Sequence, residues 1–177
     1  LTTTNDLRHH LLHQRNFILV LSHDEVVHLK CSMINKCRAN TRIICQPEVG
    51  YTFMLGHPGK KLLFMGQDFG QFHEWDEKVS LDWYLTKEPF HADLQNYVKG
   101  LLTLYHKYPA LYRLDEGMTL PGINANDGDR SIFSFIRRDE TQKKNLLFIC
   151  NFTPVDRDDY RVGVPKRGTY TLLLDQE

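Results

Sequence analysis

The stretch NFILVLSHDE, residues 16–25, decides the fold, because it joins a short apolar run directly to a cluster of polar residues. Phe17 to Leu21 are apolar on both faces, which is typical of a buried strand in a parallel sheet. The stretch KKLLFMGQDF, residues 60–69, repeats the pattern at Leu62 to Met65. Ligands of α/β sheets and barrels bind at the carboxyl ends of the strands. The polar residues that follow these two strands are therefore candidates for a functional site.

The remainder of the chain predicts one amphipathic helix followed by β structure. From Phe90, apolar residues recur at helical spacing, and Pro109 stops the pattern. These apolar residues are Leu94, Tyr97, Val98, Leu101, Leu102 and Tyr105. From about Tyr112 onward, β-rich runs at residues 123–138, 145–154, 160–165 and 168–175 alternate with turn signals and predict an antiparallel β domain. Cys37 to Gly50 shows neither a helical nor a strand period.

Composition and charge favour a neutral polar ligand. The 22 basic residues balance the 22 acidic ones, so no net field favours nucleic acid or an anionic membrane. No apolar run reaches the roughly 20 residues that span a bilayer, and the N-terminus lacks the layout of a signal peptide. We expect a cytoplasmic protein whose four cysteines are thiols.

His23, Asp24 and Glu25 follow the first predicted strand. A carboxylate there can bind sugar hydroxyls, hold a metal, or act as an acid or base. Equally, Asp24 could cap the next helix while His23 bonds a backbone carbonyl. Of the nearby histidines and cysteines, only His23 and His28 have the paired spacing of a zinc site, so no metal is predicted.

The stretch GQDFGQFHEWDEKVSLDW, residues 66–83, follows the second predicted strand. It interleaves Gln67, Asp68 and other acidic residues with Trp75 and Trp83. Carbohydrate suits such a set, because sugar hydroxyls need polar partners and sugar C–H faces stack on aromatic rings. The alternative is that the tryptophans only cover the sheet and the acidic residues are solvated.

Four motifs together resemble bacterial-type 1,4-α-glucan (glycogen) branching enzymes of the α-amylase superfamily. They are LSHDEVVHLKCSMINK, residues 21–36, GHPGKKLLFMGQDFGQ, residues 56–71, EWDEKVSLDW, residues 74–83, and ICNFTPV, residues 149–155. The resemblance covers most of the chain and corresponds to the C-terminal portion of such an enzyme.

The resemblance implies a fold that is α/β plus all-β. Residues 1–111 would form the last strands and helices of a (β/α)8 barrel, and residues 112–177 a C-terminal antiparallel β-sandwich, both incomplete. Asp24 would be the third catalytic carboxylate, which stabilises the transition state, and His23 would hold a sugar hydroxyl. Gln67, Asp68 and Trp75 would contact the glucan. No cofactor is implied, and α-1,4-glucan is the expected partner.

The resemblance also implies what the chain lacks. The nucleophile and the acid/base carboxylate of the family precede this portion, so we expect the chain alone to be inactive. A complete barrel takes about 250 residues. With neighbouring strands missing, we expect the isolated chain to aggregate or to stay partly unfolded. Two alternatives are a non-catalytic glucan-binding remnant and another hydrolase or transferase of the superfamily.

The sequence departs from the family in several places. Asp68 replaces the usual glutamate, and Leu29 stands where the family has glycine. With suitable codons, a shifted reading frame would convert the residues from Cys37 into Met-Pro-Gly-Glu-Tyr, which resembles the family. We hypothesise that small deletions or reading errors altered residues from about Cys37 to Val49, which resequencing of the coding DNA would test.

Overall fold

The structure is a computed structural model and describes residues 18–21, 31–36, 45–113, 127, 129–141 and 143–175. Its strands and α-helices are, in chain order, β1 (Ile18–Leu21), α1 (Cys45–Gly56), β2 (Lys60–Leu63), α2 (Pro89–Lys107), β3 (Ile132–Arg137) and β4 (Leu146–Asn151). Short 3₁₀ helices lie at Ile34–Lys36, Trp83–Lys87 and Pro109–Leu111.

Strands β1 and β2 pair in parallel, as the sequence predicted. Their register places Ile18 opposite Lys60 and Leu21 opposite Leu63. Helix α1 lies between them in the sequence, because parallel neighbours need a long connection. Both strands therefore end at the same edge of the sheet. Strand β2 begins two residues before the predicted start at Leu62 and ends before Phe64, where a turn begins.

The predicted burial of both faces of these strands is wrong for the described structure. Ile18 is 57% exposed and Leu62 is 38% exposed, whereas Leu63 packs against the core between the helices. Parallel sheets are normally covered on both faces. Here the exposed side chains show that one face of the pair is uncovered in the part of the chain that the structure describes.

Helices α1 and α2 pack together around the main core. The core consists of Tyr51, Met54, Leu55, Leu94, Val98 and Leu101. Helix α2 begins at Pro89, whose fixed φ suits a first helical position, and carries His106 and Lys107 in its last turn. The predicted helix is confirmed within one residue of its expected start. Leu102 differs from the prediction, because it is 41% exposed.

The sequence showed no helical or strand period between Cys37 and Gly50. The structure differs from Cys45 onward, where helix α1 begins. Pro47 is tolerated in its first turn, where backbone N–H groups have no partner within the helix. The apolar pattern becomes helical only from Tyr51, so the first turn gives no signal in the sequence. Glu48, buried in that turn, further obscures the pattern.

Strands β3 and β4 pair antiparallel, with Ile132 opposite Asn151 and Arg137 opposite Leu146. This confirms two of the predicted β runs. The runs at 160–165 and 168–175 form no strands, so that prediction is wrong. Leu172 of the last run is 74% exposed, and Leu174 packs against the core between the helices, so neither side chain stabilises an extended ladder.

An aromatic cluster joins the β3–β4 sheet to helix α1. The ring of Phe53 on α1 makes edge contacts with three phenylalanines at 5.7–6.0 Å between centroids. These are Phe133, Phe135 and Phe152. Gly56 leaves room for the neighbouring rings, since a Cβ there would lie 2.7 Å from Phe148. The β3–β4 sheet therefore packs directly on the end of α1.

Arg137 strengthens this junction. Its side chain is fully buried. Its Nε donates to the carbonyl oxygen of Ala110 at 3.0 Å, and its Nη1 donates to that of Gly56 at 3.3 Å. The carbonyl groups at the end of a helix carry partial negative charge, which favours a cation. One side chain of β3 thus binds both α1 and the 3₁₀ helix after α2.

Candidate functional site

A tight turn follows β2 and places Gln67 in the interior. Gly66 has φ +77°, and the N–H of Gln67 donates to the Phe64 carbonyl oxygen at 3.1 Å. The Gln67 side chain is 4% exposed, and its Oε1 accepts the Phe64 N–H at 3.1 Å. Tyr51 of α1 donates its hydroxyl to the Gln67 carbonyl oxygen at 2.9 Å. The turn is therefore fixed to α1.

A pocket lies beside this turn, at the carboxyl end of β2. Its cavity volume is about 10 Å³, which is enough for roughly one water molecule. Its lining residues are Ser32, Met33, Ile34, Met65, Gly66, Gln67, Gly70, Gln71, His73 and Trp75. Among them, Ser32 Oγ and Gln67 Nε2 are buried and have no hydrogen-bond partner within the part of the chain that the structure describes. Unpaired polar groups of this kind destabilise an empty pocket and favour a polar ligand or ordered water.

Trp75 lies half-buried at this pocket. Its ring makes an edge contact with Phe64, with 5.1 Å between centroids. Next to it, Glu74 Oε1 accepts the N–H of Cys31 at 2.7 Å. Asn35 Nδ2 donates to the Phe72 carbonyl oxygen at 2.7 Å. The loop that follows β2 is thereby attached to residues 31–36, which form the opposite wall.

Gln71, His73 and Asp82 form a second polar group at the rim, of which the sequence reasoning missed Gln71 and His73. Gln71 Nε2 donates to the His73 carbonyl oxygen, and Gln71 Oε1 accepts the Asp82 N–H, both at 3.1 Å. His73 Nδ1 lies 2.6 Å from Asp82 Oδ2. The available signal was the pair Gly66 and Gly70, both at positive φ, which bend the chain around Gln71.

The structure brings only part of the predicted sugar-binding set together. Gln67 and Trp75 line the pocket, whereas Asp68 does not. Asp68 is half-buried, and its Oδ2 accepts a hydrogen bond from Gln95 Nε2 of α2 at 3.0 Å. His23 and Asp24 lie outside the described residues, two and three positions after the end of β1 at Leu21. Their roles stay predictions.

Two groups with a shifted pKa, Cys150 and Tyr97, lie away from the pocket. Burial raises the pKa of the Cys150 thiol on β4 to about 12. Burial also raises the pKa of Tyr97, whose hydroxyl lies 2.8 Å from Thr52 Oγ1, although that hydrogen bond opposes the rise. Ionisation of these two groups therefore concerns the core and not ligand binding.

No group of three or more His, Cys, Asp or Glu side chains among the described residues is placed to hold a metal ion. None of the helices that these residues form combines the length and apolar character required to cross a membrane.

Comparison with known proteins gives consistent matches. Residues 123–177 match the sequence model of the family described as alpha amylase, C-terminal all-beta domain. The chain is 52% identical over 168 residues to the 1,4-alpha-glucan branching enzyme GlgB of Butyrivibrio fibrisolvens, which covers 90% of this chain and 25% of that protein. It is 45% identical over 172 residues to the enzyme of the same name from Aquifex aeolicus, covering 92% and 26%.

A third relative, the 1,4-alpha-glucan branching enzyme GlgB of Bacillus mycoides, is 42% identical over 167 residues, covering 93% of this chain and 26% of that protein. The chain thus spans about a quarter of the length of the curated relatives it matches. By sequence, this chain is related along nearly its whole length to the 1,4-α-glucan branching enzymes of the α-amylase superfamily.

Proposed function

We propose that the chain forms one side of the glucan-binding cleft of a cytoplasmic 1,4-α-glucan branching enzyme. In this proposal β1 and β2 are closing strands of a (β/α)8 barrel, and β3 and β4 belong to a β-sandwich. The whole enzyme cleaves an α-1,4-glucan and transfers the released segment to a 6-hydroxyl through a covalent glycosyl-enzyme. Glycogen branches are the product.

The parallel register of β1 and β2 carries this proposal. It aligns Leu21 with Leu63, so both strands end at one edge of the sheet. The segment after Leu63 builds the pocket at that edge. The chain continues from Leu21 to His23 and Asp24, and ligand sites in such sheets lie at this edge. The two predicted catalytic residues and the pocket then contribute to one cleft.

Each residue has a specific role in the proposed reaction. Asp24 would stabilise the oxocarbenium-like transition state, to which hydrogen bonds at the sugar 2-hydroxyl contribute several kcal/mol. His23 would hold a hydroxyl of the same sugar. Gln67 supplies a buried amide donor and Trp75 supplies an aromatic ring, and both line the pocket. No cofactor takes part in this reaction.

The test uses a full-length branching enzyme that contains this segment. We expect Asp24→Asn to abolish nearly all branching while the fold is retained, because the substitution removes a negative charge that stabilises the transition state. Branch formation is measured as new α-1,6 linkages. Asp93→Asn, at an exposed position of α2, is the matched control. Near-normal branching by Asp24→Asn would contradict the assigned role.

A second candidate is a glucan-binding module without chemistry, which the pocket alone would support. Both candidates predict that the chain binds amylose. They differ in turnover, because we propose that catalysis needs carboxylates supplied by the rest of a branching enzyme. The chain is therefore mixed with the missing portion of such an enzyme. Recovery of α-1,6 linkage formation supports the branching role, and binding without recovery supports the module.

A further inference from the structure

The two ends of the loop of residues 72–82 are linked by the side chain of Gln71, in addition to the contact between His73 and Asp82. The amide nitrogen of Gln71 bonds the carbonyl oxygen of His73, near one end of the loop. The amide oxygen of Gln71 bonds the N–H of Asp82, at the other end. Gln71 is 8% exposed, so water competes little for either bond. The side chain is a two-point bridge across the base of the loop.

An amide is the chemical group that this position requires. One end of the bridge must donate and the other must accept, which glutamine does in a neutral side chain. An ionised glutamate would only accept, and methionine would make neither bond effectively. The turn also makes space for the bridge, because a Cβ at Gly66 would lie 2.9 Å from Gln71 Oε1.

The loop is held mainly by polar contacts, which include the hydrogen bonds of Glu74 to Cys31 and of Asn35 to Phe72. Most of its side chains are exposed, including Phe72 at 45% and Val79 at 63%. Segments with few buried contacts open easily unless hydrogen bonds restrain them. Yet the loop carries His73 and Trp75 to the rim of the pocket. The Gln71 bridge is therefore one of the hydrogen-bonded restraints on the groups that line this side of the pocket, and it is the one that fixes both ends of the loop to the turn after β2.

We propose that Gln71 is a positioning residue that holds the loop of residues 72–82 so that Trp75 and His73 remain at the pocket in the geometry that binds glucan. The role in ligand binding rests on the proposed function, whereas the placement of Trp75 does not. Ordering a mobile loop on binding lowers affinity, and a loop already held in place avoids this loss.

The experiment uses the full chain, which has two tryptophans. The substitution Trp83→Phe leaves Trp75 as the only source of tryptophan fluorescence. Gln71→Met removes both hydrogen bonds of the bridge. Thr52→Val is the matched control, because Thr52 Oγ1 also makes two hydrogen bonds, to the Glu48 carbonyl oxygen and to the Tyr97 hydroxyl, but lies outside the loop. Gln71→Glu, which keeps the acceptor for the Asp82 N–H, gives an intermediate case if the methionine variant does not fold.

Two quantities are measured, namely quenching of Trp75 fluorescence by acrylamide and binding of maltoheptaose by calorimetry. We expect Gln71→Met to raise the quenching constant toward that of an exposed tryptophan and Gln71→Glu to raise it less. The control should keep the value of the parent. We expect maltoheptaose affinity to fall roughly tenfold in Gln71→Met, equivalent to about 1.4 kcal/mol.

The possible outcomes test the positioning role, its link to ligand binding and the proposed function separately. Unchanged quenching in both Gln71 variants would overturn the positioning role, whatever the glucan affinity. Raised quenching with affinity equal to the parent would overturn the link between the bridge and the ligand site. If the parent binds no maltoheptaose, the proposed function fails, while the quenching comparison still decides whether Gln71 holds Trp75.

Discussion

Replacing Arg137 by methionine tests whether the buried guanidinium holds the β3–β4 sheet against the rest of the molecule. The substitution keeps a long side chain but removes the donors to Ala110 and Gly56. Hydrogen bonds that involve a charged group contribute about 1.5–3 kcal/mol each. The two bonds therefore contribute roughly 3–6 kcal/mol before the cost of burying the charge is subtracted.

Desolvation of the guanidinium offsets part of that gain, so we expect a net loss of about 2–4 kcal/mol on Arg137→Met. Cys150 reports the opening of this sheet. It lies on β4 opposite Phe133 and is 2% exposed. With the other three of the four cysteines replaced by serine, modification of Cys150 follows the fraction of molecules in which the sheet is open.

At fixed pH and low protein concentration, the expected loss raises the modification rate roughly 30- to 700-fold, since each 1.4 kcal/mol is a factor of ten. Arg167→Met, at an exposed position, is the matched control and should change the rate by about twofold at most. A rate for Arg137→Met within about threefold of the parent would refute the reasoning. It would show that desolvation cancels both hydrogen bonds.

Three further predictions concern packing, pH and association. Gly56→Ala should lower the free energy of unfolding by about 1–3 kcal/mol, because the added Cβ would clash with Phe148. Gly50→Ala should raise the free energy of unfolding by about 0.5–1 kcal/mol, because an added Cβ there meets nothing within 4 Å. The urea midpoints of the two variants and the parent test both expectations. Because the pKa of Cys150 is raised from 9.0 to about 12, the unfolded thiol loses its proton first, so stability should fall above pH 9, by about 1.4 kcal/mol per unit at most from this group. Cys150→Ala should reduce that slope in urea titrations, and an unchanged slope would contradict the assignment. The uncovered sheet face should make the isolated chain associate, and Ile18→Lys should reduce this in sedimentation; a cooperative melt of a monomer would count against the expectation.

The elements predicted correctly from the sequence are those whose stability depends on a repeating local pattern. Helix α2 is recognisable because Leu94, Val98 and Leu101 recur at helical spacing and pack into the core. Helix α1 was missed because its first turn has no apolar period. The run at 168–175 has a strand-like pattern but lies outside any ladder. Strand formation requires a partner, which a single segment does not encode.

In the candidate site, too, residues with a local sequence signal were predicted, whereas roles that depend on the folded structure were not. Gln67 and Trp75 were predicted from chemistry that suits sugars, and both line the pocket. Gln71 could not be assigned its role, because its partners are backbone groups of His73 and Asp82 that only the folded turn brings near. The hydrogen bond from Gln95 to Asp68 likewise joins residues far apart in the sequence.

The aromatic cluster around Phe53 has a consequence for recombining related enzymes. A chimaera joined near residue 112 would graft a foreign β domain onto a helix end shaped for different rings. The surface that the grafted domain must fit includes Phe53 and Gly56, although both precede the junction by more than fifty residues in the sequence. A donor β domain should therefore be transplanted together with these two positions of α1, or from a donor in which they are identical.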